Sequence, residues 1–127
     1  MMRKNYSTGA RWESIVGYSR AVKIGNIIEV SGTVSVKDGE AYAMGDPYSQ
    51  TKRILEIVED ALNHFGASHE DVIRTRTFVT NIKDWARVAK AHEEVYGQIR
   101  PATSLLEVSA LITPAYLVEI EVSAVIP

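Results

Sequence analysis

The chain contains no cysteine. That excludes disulfides, thiolate metal ligands and a thiol nucleophile, and it fits a reducing compartment. A strong charge of one sign is also missing: 14 Lys and Arg stand against 16 Asp and Glu, for a formal net charge of −2. A general nucleic-acid binder carries a basic face, so nucleic acid is not an expected partner. No apolar run approaches the roughly 20 residues that a bilayer crossing requires, so no membrane partner is expected. Residues 1–6 are basic without the apolar stretch of a secretory leader, and the cytoplasm is the expected location. Linkers, internal repeats and low-complexity tracts are absent too. The chain therefore reads as one domain, 1–127, whose first 12 residues form a flexible arm or a docking strand.

What remains is ordinary globular material, 46% hydrophobic and 24% charged, long enough for a single core. Ala21-Val22-Lys23-Ile24 and Ile27-Ile28-Glu29-Val30 are β-branched runs separated by Gly25-Asn26, which signals a tight hairpin. Ser31-Gly32 interrupts the second run; a glycine there predicts a bulge, or a point where another group approaches the backbone closely. Asp46-Pro47 starts a helix with an N-cap carboxylate and a first-turn proline. Ile54, Leu55, Val58, Ala61, Leu62 and Phe65 recur at helical spacing, and Gly66 ends the run. Ser68 to Asp71 reads as a short capped turn, and Arg74 to Val79 as a strand. Asp84 is expected to cap a second helix with Trp85, Val88, Ala89, His92, Val95 and Tyr96 along one side. Ser104–Val108 and Leu117–Val125 are the final strands.

Two helices can cover only one face of such a sheet. Aliphatic residues occur on both parities of the strands, so the second face reads as oily and a further subunit as its cover. Burying several hundred Å² at about 25 cal/mol per Å² would favour association strongly.

The segment Arg100-Pro101-Ala102-Thr103-Ser104-Leu105-Leu106-Glu107-Val108, followed by Leu117-Val118-Glu119-Ile120-Glu121, resembles the RidA/YjgF signature. Gly17-Tyr18-Ser19-Arg20-Ala21-Val22, Gly25-Asn26, Val30-Ser31-Gly32 and Phe78-Val79 with Trp85 continue the match in order from Gly17 to Ile126. The resemblance implies an α+β, ferredoxin-like fold of the trimeric chorismate-mutase type, a mixed sheet with two helices on one face. It also implies a homotrimer with three inter-subunit clefts for a small anionic or carbonyl-bearing metabolite. Family members with deaminase activity hydrolyse enamines and imines derived from amino acids. An arginine grips the substrate carboxylate and a glutamate positions the attacking water.

Carried over by position, the glutamate falls on Glu119, the tyrosine on Tyr18, the glycine on Gly32 and the aromatic of the second helix on Trp85. The arginine falls on Thr103, which offers neither charge nor a two-pronged donor, so ordinary amino-acid imine deamination is not expected. Arg76 and Arg100 are the substitutes to test. Glu119 is then a water-positioning carboxylate or an interface ion pair, Glu121 a solvent-facing or paired acid, and Glu107 an interface or ligand contact. Tyr18 lines the cleft; Trp85 is a core anchor or a cleft wall. Thr103 and Ser104 donate to an anion or satisfy nearby backbone. No His-Asp pair accompanies them, so a hydrolase triad has no support. His64, His69 and His92 lack metal-ligand spacing, and neither metal nor cofactor is expected. The functions in view are a hydrolase or deaminase acting at a C=N or C–N bond, a non-catalytic binding or regulatory protein, and the ribonuclease or translation-inhibitor activity ascribed to some relatives.

Overall fold

In the computed structural model, which describes all 127 residues, Gly25-Asn26 turns the chain between β2 (Ala21–Ile24) and β3 (Ile27–Val34). Gly25 sits at φ +60, where a side chain would be strained. A second two-residue turn, Asp38-Gly39, joins a small ribbon of β4 (Val36–Lys37) and β5 (Glu40–Ala41).

The helices form where their end signals stand. Asp46 accepts the Ser49 amide at 3.0 Å and Pro47 opens α2 (Pro47–His64), which stops before Gly66 at φ +79. Ile54, Leu55, Val58, Ala61 and Leu62 are buried along one stripe of α2, each stabilising the fold by roughly 1 to 3 kcal/mol according to size. The second long helix, α3 (Trp85–Tyr96), buries Val88, Ala91 and Tyr96. Asp84 does not cap it. The helix is instead entered from a single 3₁₀ turn, Ile82–Asp84, so the Asp84 backbone is already helical and its carboxylate turns to Arg87 at 2.9 Å.

Both helices pack on one face of a six-stranded sheet of order β1-β2-β3-β8-β6-β7. Here β1 is Arg3–Tyr6, β6 Val72–Val79, β7 Ala102–Glu107 and β8 Val118–Val125. β6 and β7 are parallel and joined through α3, whereas every other neighbouring pair is antiparallel. β8 separates β3 from β6, which makes the arrangement a split βαβ of the ferredoxin-like kind. Ile28, Val30, Val118, Ile120, Val122 and Ala124 supply the sheet side of the core. Buried Gln50 on α2 donates to Ala115 O and accepts from Leu117 N, both at 2.9 Å, and so fixes the approach into β8.

One open alternative is resolved and one expectation changes. The opening residues form an edge strand on β2 and then a short helix, α1 (Arg11–Val16), which ends at Gly17 with φ +90. They are a docked strand rather than an arm. The second sheet face is also less oily than the strand composition implied. Its middle carries Glu29 opposite Ser123 and Arg76 opposite Glu121. Apolar side chains gather toward the ends, with Ile24, Ile27 and Val125 in one row and Val34, Phe78 and Leu106 in another, while Val22 lies in the middle beside Glu29. The aliphatic excess belongs mainly to the parity that meets the helices. No helix is long and apolar enough to cross a membrane.

Candidate functional site

The pairing of β3 with β8 loses register between Val30 and Thr33, so Ser31-Gly32 forms the bulge that the interrupted pattern predicted. Two hydrogen bonds clamp this bulge to the preceding segment: Ser31 N–H to Arg20 O at 3.0 Å and the Ser31 hydroxyl to Ser19 O at 2.7 Å. The carboxylate of Glu119 rests against Gly32, where an added Cβ would collide with Oε2. Glycine here leaves room for a neighbouring side chain rather than serving a left-handed backbone.

Glu119 stands in an otherwise apolar row, between Val34 on β3 and Phe78 on β6. Burial raises the pKa of its carboxyl, the Glu121 charge raises it further, and Arg20 opposes both. A carboxyl that keeps its proton to higher pH can both accept and donate protons closer to neutrality.

Arg20 completes the cluster. It is buried, donates from Nη2 to Gly32 O at 2.6 Å, and lies with its guanidinium carbon 5.6 Å from the centre of the half-buried Tyr18 ring. The Tyr18 amide donates to Glu13 O at 2.9 Å, so α1 and its terminating glycine set the tyrosine's position. Buried Glu13 anchors that helix. Burial pushes its carboxyl up, but hydrogen bonds from Ser7 and Thr8 and the charge of Arg20 together bring it below the usual value.

One junction therefore unites Tyr18, Gly32 and Glu119 with Arg20, a residue to which the sequence reading gave no role. The signal was faint: one cation directly before an apolar strand.

The other anticipated residues lie elsewhere. Thr103, on the edge strand β7, is exposed and faces the helix side; its hydroxyl is 2.7 Å from that of buried Thr75. Thr75 is in turn 2.9 Å from Nε2 of His92 on α3. Burial lowers the His92 pKa, which favours the neutral ring. Thr103 and Glu119 are thus separated by β6 and point to opposite faces.

Ser104 is exposed opposite Arg76. Arg76 does not reach Glu119; it makes a long pair with Glu121 at 3.9 Å. Arg100 is exposed, at φ +60 just before β7. Trp85 is 57% exposed at the start of α3 and is not a core anchor. Glu107 accepts the Ile82 amide at 2.9 Å and steadies the turn into α3. His64 stacks on Tyr6 at 4.4 Å, and no three His, Asp or Glu residues converge on a metal position.

Fold and site together define a small split-βαβ protein with a half-buried carboxyl of raised proton affinity seated on a sheet bulge. The chain belongs to the endoribonuclease L-PSP family, which matches residues 8–126. A member of the YjgF/YER057c/UK114 family from Mycobacterium tuberculosis is 45% identical, with a TM-score of 0.90 and coverage of 98% of this chain and 100% of that one. The YjgF protein of E. coli is 29% identical, with a TM-score of 0.85 over 98% of this chain and 99% of the other. The 3-aminoacrylate deaminase RutC of Acinetobacter baylyi is 30% identical over 104 residues, 81% of this chain and 82% of that protein.

Proposed function

We propose that this chain forms a homotrimer whose inter-subunit clefts bind a small anionic or carbonyl-bearing metabolite and hydrolyse it at a C=N or C–N bond. The observation that carries the reading is the Glu119 carboxyl, half-buried on the Gly32 bulge with its proton affinity raised. Tyr18 and Gly32 line the cleft beside it. Trp85, Thr103 and Ser104 are exposed toward the opposite edge of the sheet and form the facing wall from a neighbouring copy.

In the reaction, water adds to the carbon of a C=N bond while Glu119 accepts its proton. Glu119 returns that proton to nitrogen, giving a carbinolamine; it then carries the carbinolamine hydroxyl proton to nitrogen as the C–N bond breaks with its electron pair leaving on nitrogen, and ammonia and a carbonyl compound result. The deaminase name of the Acinetobacter relative supports this class of reaction. The test is ammonia release from freshly generated small imines and enamines, compared with Glu119→Gln. Equal turnover by the variant would sink the mechanism, and a monomer in light scattering would remove the cleft.

A non-catalytic binder is the second reading, supported by the missing cation at Thr103. The family description favours a ribonuclease. The net charge of −2 and the acids Glu29, Glu119 and Glu121 on the open sheet face weigh against that activity.

A further inference from the structure

We infer that the corner of the sheet beyond the end of α2 is a second ligand site, which takes the phosphate monoester group of a small metabolite between Lys4 and Lys23. It is independent of the Glu119 reading, because this corner lies on the helix face of the sheet and Glu119 on the open one.

Ile28, Ala124 and Val72 form one row across the sheet and are all buried. The same row continues outward to Lys23 on β2 and Lys4 on β1, which are direct cross-strand partners. α2 stops at His64, so these two positions stay uncovered and line a groove of about 470 Å³ with Asn5, His64 and Phe65. Ligand sites commonly measure roughly 300–1,000 Å³, so the groove has room for a metabolite. One wall is aromatic: the His64 ring stacks on Tyr6 at 4.4 Å between centroids and meets Phe65 edge-on at 5.0 Å.

Neither ammonium has a carboxylate within 4.0 Å, in a chain with more acids than bases. Like charges set directly opposite each other on neighbouring strands repel. A lysine on an edge strand guards that edge against pairing, which accounts for Lys4. It does not account for Lys23, because β2 is hydrogen-bonded on both sides and Lys23 is half-buried. Nor does the C-terminus of α2 need both cations. A helix end presents only about half a negative charge, and the carbonyls of Leu62 and Asn63 already accept the amides of Phe65, Ala67 and Gly66. Positive charge is left over, and an arriving anion relieves the repulsion.

A phosphate monoester fits on three counts. Near neutrality it carries close to two negative charges, one for each ammonium. Lysine meets phosphate as a point charge, whereas a carboxylate is matched best by an arginine fork, and no arginine lines this groove. Its oxygens can accept from both ammoniums and from an imidazole N–H of His64 together. The organic part of the ligand then lies against the aromatic wall.

The probes are phenyl phosphate, its singly charged diester methyl phenyl phosphate, and benzoate. Each is titrated into the full chain in its native assembly and followed by amide NMR shifts. We expect phenyl phosphate to saturate, with shifts centred on β1, β2 and residues 63–66, and the other two to bind more weakly. Lys23→Met should weaken phenyl phosphate by roughly 10- to 100-fold, and Lys4→Met by a smaller factor. Lys23→Arg should keep most of the affinity, and it replaces Lys23→Met if that variant does not fold. His64→Phe keeps a ring against Tyr6 and should cost roughly 2- to 10-fold. Lys83→Met removes an exposed lysine near the far edge of the sheet and should change nothing. Absence of saturation, shifts centred elsewhere, benzoate binding as tightly as phenyl phosphate, or an equal loss in Lys83→Met and Lys23→Met would each overturn the proposal. So would a hydroxyl-ended RNA oligonucleotide, whose phosphates are all diesters, if it bound more tightly than phenyl phosphate and lost that binding in Lys23→Met.

Discussion

Two polar clusters sit in this sheet, and they solve the problem of burial in opposite ways. Around the β3 bulge, Arg20 and Glu119 are ionisable groups with incomplete partners: a buried Nε without an acceptor and a carboxyl pressed into an apolar row. Across β6, Thr103, Thr75 and His92 are neutral and satisfy one another through contacts of 2.7 and 2.9 Å. Each member of the hydroxyl chain has a partner within the subunit, whereas the junction at the bulge is under-satisfied within one chain. Under-satisfaction of buried polar groups is where a binding function is found, because an arriving group recovers interactions that the fold itself leaves unmade.

The comparison breaks most visibly at Glu119. Glu119→Gln should reduce turnover by about 100-fold or more, the scale for a lost acid–base group. Its effect on stability should have the opposite sign. The folded-state pKa is raised, so this group's contribution is full below the ordinary carboxylate range and is lost as pH rises through the raised value. Melting temperatures of the wild type should fall across that window and those of the glutamine variant should not. A variant both inactive and less stable at neutral pH would mean that Glu119 serves the fold.

Gly32→Ala should come next. Gly32 is not among the glycines with positive φ, so the backbone accepts alanine, but the new Cβ must displace the Glu119 carboxylate. The moving atom is the tip of a flexible side chain. We therefore expect a stability change of at most about 1 kcal/mol, together with a turnover loss of roughly 10- to 100-fold from the misplaced carboxyl. Unchanged turnover would separate the bulge from the chemistry.

The neutral cluster predicts the reverse pattern. Thr75→Val keeps the shape of a fully buried residue and removes its hydroxyl bonds to His92 and Thr103. The loss should be about 1–3 kcal/mol of stability in chemical denaturation, with turnover intact. His92 is depressed by burial, as is His69, so their contribution is present above the ordinary histidine range and is lost as pH falls through the lowered values. His92→Gln should flatten part of that acid-side decline. If Thr75→Val instead lowers turnover at unchanged stability, the hydroxyl chain belongs to the catalytic machinery and the contrast collapses.

Much of this arrangement was legible in the residues, for reasons that also explain the rest. Gly25-Asn26, Asp46-Pro47 and Gly66 are local signals, and each acts on the backbone within a few residues. Gly32 was legible for the same reason: a glycine that interrupts a β-branched run has few explanations, and close approach was one of them. Arg20 was not legible, because nothing in Ser19-Arg20-Ala21 tells that its side chain is sealed under a bulge a dozen residues later. Nor was the link from Thr103 to His92, which depends on the parallel register of β6 with β7 and on where α3 crosses them. The second face was read as oily because aliphatics occur on both strand parities, but parity does not tell that Glu29, Arg76, Glu119 and Glu121 stand among them, which the rows across the sheet decide.

The smallest expected effect lies between the two clusters. Arg76 and Glu121 face each other across β6 and β8 at 3.9 Å, with 45% and 41% of their side chains exposed. A pair this long and this wet contributes about 0–1 kcal/mol. Arg76→Ala should therefore barely move the melting curve of a single chain. Its effect should fall on Glu119, because Glu121 already raises the pKa of that carboxyl and loses its own counter-charge in the variant. The pH midpoint of turnover should shift upward while the maximal rate holds. A downward shift, or a loss of rate without any shift, would mean that Arg76 acts on the ligand directly and that the charged site extends across the sheet.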